Sequence, residues 1–531
     1  MDPTHTREAP SWMVTIATAL AVMGLSWLLY GRDLDLAPVY LTKDEANFGL
    51  QSHEVAKTGR DRNGNFLPLF FQEPGFSIGR DPIYIYATAL VLQFRPLDER
   101  SLRLPSAAAG VLAIGLTVLA AKELFLSIRL AALAAILVAV TPAFFIRSRA
   151  ALSVIFPVAF ELLWFAFLLA YLRNGRLSNL LGSTLALGVG VYSYLSMVFF
   201  APVHFAVTIA ALVTRQRWRH LAWATGCLAL TLIPLTAWQL SHPQRIAELV
   251  GTYKVYEPHL NVFQGARSLF TWFSLGTRAD VYWQAFNPSR LFFSGESSLI
   301  DSTRSAGEFP LAYMLLLPVG LYALTRRPLT IPHGAVLLGF LTAPIPGVII
   351  GEDTIGRYLM IGPWAAFIAV AGVRLLWESR TLLARGLAVA CVASTLILFR
   401  GFYVDYMGDW RIRSSAYLGG NLRGAFESVL LTPRSAAPDF VFISETIPYV
   451  DVFWEFYRRA HGRDDLEVRT RGLSLRNTDW ERPPGKAVAI IPASEDAAIE
   501  KLKLAGWTVA SEIHEFYGGK PSFVVLSRAA D

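Results

Sequence analysis

Apolar runs with almost no charge recur along the chain at the length that crosses a bilayer, about 20 residues for a helix. They occupy 12–31, 104–121, 130–146, 153–172, 220–240, 309–325, 331–350, 358–376 and 381–399. The stretch 177–213 carries no Asp, Glu, Lys or Arg and holds two more, near 177–193 and 197–213. The pattern thus predicts eleven membrane-spanning helices. One further run, 82–94, has 13 uncharged residues and is too short to cross, which predicts a helix lying on the membrane surface.

Basic residues orient this pattern, because cytoplasmic loops collect Lys and Arg. With 82–94 on the surface and the N-terminus inside, five basic clusters between spans fall on the cytoplasmic side. These are Lys122/Arg129, Arg173/Arg176, Arg215/Arg217/Arg219, Arg326/Arg327 and Arg374/Arg380/Arg385. If 82–94 crossed, all of them would move outside. The first span lacks a small-residue cleavage site behind it and reads as retained. The expectation is a multi-pass protein of the inner (plasma) membrane, with a cytoplasmic N-terminus and a periplasmic or extracellular C-terminus. Composition agrees: 53% of residues are hydrophobic and 17% charged, against about a quarter charged in soluble chains. The net charge of +7 is absorbed by this topology, so nucleic acid is not an expected partner. Cys227 and Cys391 sit inside apolar runs and read as buried thiols.

Three long segments then lie outside: a first loop (32–103), a second loop (241–308) and the tail from about 400. The chain divides into a transmembrane module, 1–400, and a soluble α/β domain, 401–531. In the latter, strands are expected at 439–445, 487–493, 507–513 and 522–527, with helices at 446–461 and 495–505, the second capped by Ser494. No Gly-rich phosphate loop opens either helix.

Within the first loop, Asp44 and Glu45 are adjacent acids where the chain leaves the bilayer. On a helix they point about 100° apart. Two readings fit: a general base at a low-dielectric boundary, or acids meeting the dipole of a helix N-terminus. Further on, Glu73, Arg80 and Asp81 form a mixed cluster beside the 82–94 segment, suited to an anionic lipid headgroup or to solvated turns. Arg357, at the start of the tenth span, suits a phosphate through paired hydrogen bonds, or snorkels from a helix end. Arg147 and Arg149 stand at the outer end of the third span, against the positive-inside trend. Glu161 lies two turns into the fourth span; an intramembrane acid is either functional or satisfied by a neighbouring helix.

Several motifs together carry a family resemblance. They are Asp44-Glu-Ala46 after the first span, Gly59-Arg-Asp61 with Gly64 and Leu67-Pro68, Pro82-Ile-Tyr-Ile-Tyr86, and Arg103-Leu-Pro-Ser106. Later blocks are Thr141-Pro-Ala-Phe-Phe-Ile-Arg-Ser-Arg149, Phe292-Phe-Ser-Gly-Glu296, Gly307-Glu-Phe-Pro310 and Gly351-Glu-Asp-Thr-Ile-Gly-Arg-Tyr-Leu359. In order and on these spans, the set resembles the GT-C superfamily of membrane glycosyltransferases, in the branch of protein O-mannosyltransferases and lipid A aminoarabinose transferases. The resemblance covers roughly residues 12–400 and is absent from the tail.

The resemblance implies an enzyme that moves a hexosyl- or pentosyl-type sugar from a polyprenyl-phosphate carrier to an acceptor hydroxyl at the outer face. The acceptor class is a lipid, a glycan or a protein. Asp44 matches the family's catalytic acid, acting as general base in the inverting case, and Glu45 matches its companion. Arg357, Arg149, Arg80, Glu73 and Glu161 are the substrate-binding candidates. Two departures stand out: Ser153 occupies the place of a second acid carried by relatives, and Arg80-Asp81 replaces a Glu-Lys pair of the aminoarabinose branch. The family admits a divalent metal, though no His-x-x-x-His or comparable ligand spacing supports one here. A polytopic lipid or solute transporter is the competing class. It predicts internal repeats and midplane charges, whereas no repeat is visible and only Glu161 lies within a span.

Overall fold

The computed structural model describes residues 12–72, 79–257, 259–326, 328–474 and 480–529. Two compact units emerge. The first comprises Met1–Arg32, Gly59–Ala87 and Arg103–Asp405; the second, Asp33–Thr58, Thr88–Leu102 and Tyr406–Asp531.

In chain order the first elements are α1 (Trp12–Tyr30), α2 (Lys43–Thr58), a small antiparallel ribbon of β1 (Phe71–Gln72) and β2 (Gly79–Arg80), α3 (Pro82–Leu92) and α4 (Glu99–Phe125). Then come α5 (Ile128–Ala139), α6 (Pro142–Arg149), α7 (Phe156–Asn174), α8 (Leu177–Gly190), α9 (Met197–Val213) and α10 (Trp218–Ser241). Three helices, α11 (Arg245–Tyr253), α12 (Val262–Ser268) and α13 (Trp272–Gln284), follow before α14 (Tyr313–Thr325). After them lie α15 (Ile331–Thr342), α16 (Ile345–Ile350), α17 (Ile355–Tyr358), α18 (Ile361–Glu378) and α19 (Leu382–Met407).

Every predicted span is helical. Among the described residues seven helices are long and apolar enough to cross a membrane alone, and α5–α6 makes an eighth when its 63° bend is counted as one broken span. The predicted spans 177–193, 197–213 and 309–325 fold as the shorter apolar helices α8, α9 and α14. The surface segment 82–94 folds as α3, an 11-residue helix.

A low-dielectric surrounding leaves no water for broken helix bonds, so neighbouring helices must supply partners. At the α5–α6 break, Thr141 Oγ1 donates to the Leu137 carbonyl at 2.8 Å and Tyr30 Oη to that of Ala139 at 2.8 Å. Pro234 interrupts the α10 ladder. There Tyr192 Oη donates to the Thr231 carbonyl at 2.7 Å and accepts the Leu235 N–H at 3.1 Å.

The second unit holds a five-stranded sheet in the order β4-β3-β5-β7-β6. Its strands are β3 (Phe440–Ser444), β4 (Thr470–Leu473), β5 (Ala487–Pro492), β6 (Thr508–His514) and β7 (Pro521–Arg528). β4, β3 and β5 run parallel, while β7 is antiparallel to both β5 and β6. Helices α20 (Asp409–Ser415), α21 (Leu422–Leu430), α22 (Val450–Ala460) and α23 (Asp496–Leu504) complete it. Ala498, Ile499 and Leu502 of α23 pack on Phe442, Ala489, Ile491, Val524 and Leu526. The expected strands and helices are all present. The cap of α23 is Glu495 rather than Ser494, and its side chain makes no cap bond.

Helices α14 and α18 meet closely through glycines. A Cβ on Gly320 would overlap the Ile368 carbonyl, and one on Gly372 would stand 2.6 Å from that of Leu316. Small residues that admit backbone approach drive helix association in membranes. Gly320→Val is therefore expected to destabilise the folded protein by about 1–3 kcal/mol, read as a clearly lowered thermal unfolding midpoint in detergent. Gly362→Ala on the same α18 meets open space and should leave that midpoint nearly unchanged.

Candidate functional site

Because successive spans alternate in direction, the connections 150–155, 191–196, 242–312 and 351–354 fall at one end of the first unit's bundle. Their side chains meet there in two linked groups.

The first group surrounds Arg290, which is 9% exposed. Its Nη2 donates to Glu296 Oε1 at 2.6 Å, its Nη1 to Asp353 Oδ2 at 3.0 Å, and its Nε to Glu308 Oε1. Glu296 Oε1 also accepts the Ile355 N–H, and Tyr358 Oη donates to the Asp353 carbonyl at 2.9 Å. The segment 352–358 is thereby tied to 290–308. Nearby, Arg147 pairs with Asp301. Gly356 leaves it room, since a Cβ there would be 3.2 Å from Arg147 Nη2. Burial, then the neighbouring Asp301, pushes Glu296 up to about 8. Burial likewise pushes Glu308 up to about 7, and its Oε2 has no hydrogen-bond partner among the described residues.

The second group holds Arg357. Its Nε donates to Glu352 Oε2 at 2.9 Å and its Nη1 to Tyr194 Oη. The guanidinium lies over the rings of Tyr194, at 5.8 Å, and Tyr253, at 5.4 Å. Its side chain is 17% exposed, so it is enclosed rather than snorkelled. Burial alone would weaken its hold on the proton, but Tyr194, Tyr253 and Glu352 outweigh this and keep it above the usual range. Burial holds the Tyr194 phenol up at about 12, so it stays protonated.

Arg245 is the counterpart that the motifs did not single out. It opens α11 and is 5% exposed. Its Nη1 reaches Glu248 Oε2 only at 3.4 Å, and it lies 5.8 Å from the Trp238 ring centre. Here burial is the largest influence, and Glu248, Asp81 and Tyr253 offset it only in part, so its affinity for the proton is lowered. Arg245 is thus a buried cation short of negative charge, facing the same Tyr253 as Arg357. Such a pair suits an anion with several acceptor oxygens, such as a phosphate.

The other predicted residues fall in varied places. Arg149 is fully buried, and its Nη1 donates to the carbonyls of Leu29, Tyr30 and Arg32 at 3.3, 3.0 and 2.7 Å. That arrangement closes the C-terminal end of α1. Glu161 is satisfied by neighbouring helices: His204 Nε2 of α9 lies 2.8 Å from its Oε1, and Trp364 Nε1 of α18 donates to Oε2 at 3.3 Å. Glu73 lies outside the described residues. Arg80 ends β2, with only its backbone described. Ser153 is buried in a single 3₁₀ turn ahead of α7.

Asp44 and Glu45 belong to the second unit, in the first turn of α2. Glu45 is 1% exposed. Its Oε2 accepts from the Thr42 N–H at 2.8 Å and Oγ1 at 3.2 Å, while Thr42 Oγ1 accepts the Glu45 N–H at 3.3 Å. This is a reciprocal capping box, the helix-start role of the two readings above. Asp44, one residue earlier, is half-buried. Lys43 beside it places Nζ 4.3 Å from the Tyr449 ring centre.

Among the described residues no group of three or more His, Cys, Asp or Glu is arranged to hold a metal ion.

Residues 79–239 match the family described as dolichyl-phosphate-mannose-protein mannosyltransferase. No curated protein sequence matches the chain. Among solved structures it is similar to ArnT from Cupriavidus metallidurans bound to undecaprenyl phosphate, with 15% identity, a TM-score of 0.56 and 97% of each chain covered. The apo state of that protein gives 15% identity, a TM-score of 0.54 and the same coverage. The archaeal oligosaccharyltransferase AglB from Archaeoglobus fulgidus, in complex with an inhibitory peptide and a dolichol-phosphate, gives 14% identity and a TM-score of 0.51. That match covers 93% of this chain and 72% of AglB. The resemblance to the GT-C superfamily read from the motifs is borne out at the level of fold.

The raised carboxylates make a pH prediction. A carboxyl held above its ordinary value of about 4.3 in the fold contributes stability that is fully present below that value and is lost as pH rises through the folded value. For Glu308 and Glu296 the window closes near 7 and 8. Thermal midpoints in detergent should therefore fall between pH 5 and 8 in the native protein. Glu308→Gln, whose amide cannot ionise, should fall less. Parallel curves would show that Glu308 does not titrate there.

Proposed function

We propose that this chain, a multi-pass membrane protein with the GT-C fold, is a glycosyltransferase that takes its sugar from a polyprenyl-phosphate carrier. The observation that carries the reading is the pair of buried arginines, Arg357 and Arg245, around Tyr253. Arg245 is compensated only in part, by Glu248 at 3.4 Å, in a buried site, a need that a carrier phosphate meets. The similar structures support the same chemistry, being complexes with undecaprenyl phosphate and a dolichol-phosphate.

In this reading the arginines bind the phosphate of the donor. They stabilise the charge that grows on it as its bond to the anomeric carbon breaks, worth most where water is excluded. Arg357 is pre-set by Glu352 and Tyr194. Tyr194, protonated, offers a further hydrogen bond to a phosphate oxygen. Asp44 is the base we assign, on its motif: it takes the proton of the acceptor hydroxyl as the oxygen attacks carbon, a role worth roughly 10²–10⁴-fold. Glu45 is a positioning residue, holding the first turn of α2 on which Asp44 stands. The sugar is of hexosyl or pentosyl type and the acceptor a lipid, glycan or protein hydroxyl. We further assign the reaction to the outer face, with a cytoplasmic N-terminus and the 401–531 domain outside, on the distribution of Lys and Arg.

Radiolabel transfer from a polyprenyl-phosphate sugar to extracted lipid, glycan or protein tests the reading. Asp44→Asn in correctly folded protein should lose about 10²–10⁴-fold in kcat; transfer near the native rate would remove Asp44 from the chemistry. Arg357→Ala and Arg245→Ala should each raise the donor KM about 10–100-fold, the scale of a lost hydrogen bond to a charged group. An unchanged donor KM in both would remove the phosphate assignment.

A further inference from the structure

The strand order of the second unit creates a crevice of its own. From β3 the chain passes through α22 to β4 on one side, then crosses to β5 on the other, and the three strands are parallel. Where strand order reverses in this way, the loops leaving the carboxyl ends of the two strands part to opposite sides and leave a ligand crevice between them. Here it lies beyond Ser444 of β3 and Pro492 of β5.

The side chains that meet there are hydroxyls and a carboxylate. Glu495, just ahead of α23, accepts from Ser444 Oγ, which lies 3.3 and 3.4 Å from its two oxygens, and from Thr446 Oγ1. Ser444 Oγ and Thr446 Oγ1 are themselves 2.9 Å apart. Ser444 is buried, Glu495 half-buried and Thr446 exposed. A carboxylate offers about four lone-pair positions, so these donors leave capacity for further hydroxyls. Three residues after Thr446, Tyr449 stands 54% exposed at the start of α22. Its ring combines an apolar face with a polar tip. Lys43 Nζ is 4.3 Å from the centre of that ring, and Asp44 is the next residue of α2. Three further acids lie at this end of the sheet: Glu445 after β3, Asp451 in the first turn of α22 and Asp496 in that of α23. Such surroundings repel a phosphate and suit a neutral ligand rich in hydroxyls.

We infer that this crevice binds a saccharide, the sugar portion of the acceptor. The Glu495 carboxylate accepts from sugar hydroxyls while Ser444 and Thr446 hold it in place. The Tyr449 ring lies against the apolar face of a sugar. The Lys43–Tyr449 contact sets this site beside the helix that carries Asp44, the base assigned above. Calling the ligand the acceptor rests on the proposed reaction; the saccharide site itself does not.

The test applies full-length protein in fluorescent nanodiscs to a printed array of neutral and phosphorylated oligosaccharides, with no donor present. The native protein should bind neutral members in preference to phosphorylated ones. Glu495→Ala should lower that signal about tenfold, the scale of a lost hydrogen bond to a charged group. Tyr449→Ala should lower it several-fold, and Tyr449→Phe, which keeps the ring, should restore most of it. Leu504→Ala, at the far end of α23 and 88% exposed, is the control and should bind as the native protein does. Absence of binding to neutral oligosaccharides, preference for phosphorylated ones, or native binding by Glu495→Ala would overturn the site. In the transfer assay the Glu495→Ala and Tyr449→Ala variants should raise the acceptor KM and leave the donor KM unchanged. Array binding without any transfer would contradict the proposed reaction and support the saccharide site. Transfer with an unmoved acceptor KM would overturn the link between this site and the acceptor.

Discussion

A guanidinium taken out of water must be compensated by acceptors or by opposite charge. At Arg290 three carboxylates do so: Glu296 and Glu308 from its own connection and Asp353 from the next one. The rest of the site depends on this interaction. Glu296 reaches on to the backbone of Ile355, so the charge balance at Arg290 also fixes where α17 begins and hence where Arg357 points. Burial, with the neighbouring Asp301 adding to it, holds Glu296 and Glu308 above the ordinary carboxylate range. One end of the bundle thus has an acid-rich network around Arg290 beside a cation, Arg245, that is only partly compensated.

The same demand for polar satisfaction shapes the bundle below. Tyr192 mends the α10 ladder at Pro234, Thr141 and Tyr30 close the α5–α6 break, and Arg149 closes the end of α1. Glu161 is the deepest instance. With His204 stacked on Trp164 at 4.2 Å and bonded to the acid, it forms a buried polar link between α7 and α9, with Trp364 joining α18.

The spans were legible because a crossing helix announces itself within 20 neighbouring residues, and the short run 82–94 was legible for the same reason in reverse. The tail strands were legible wherever they were apolar. Strand β4 was not, since Thr-Arg-Gly-Leu at a sheet edge is mostly exposed and its pairing with β3 is set by tertiary contact. Arg357 could be singled out by its place at a helix start. The same signal that marks Arg147 and Arg149, basic residues against the charge trend, applies equally to Arg245 and Arg290. What it could not supply was their difference: Arg290 meets acids from positions 296, 308 and 353, whereas Arg245 pairs only with Glu248, at 3.4 Å. Partnerships across such separations leave no local pattern. Glu45 illustrates the converse, for Thr42-x-x-Glu45 is a local capping signal that the structure realises.

The central claim is that Arg245 and Arg357 together bind the phosphate of a polyprenyl carrier. Its most direct test is binding, free of any assumption about sugar or acceptor. Purified full-length protein in nanodiscs would be titrated with a polyprenyl phosphate and with the corresponding polyprenol. The account predicts that the phosphate binds at least tenfold more tightly than the alcohol, and that the Arg245→Ala/Arg357→Ala double variant abolishes the difference. Equal binding of the two lipids, or a preference that survives in the double variant, would contradict it.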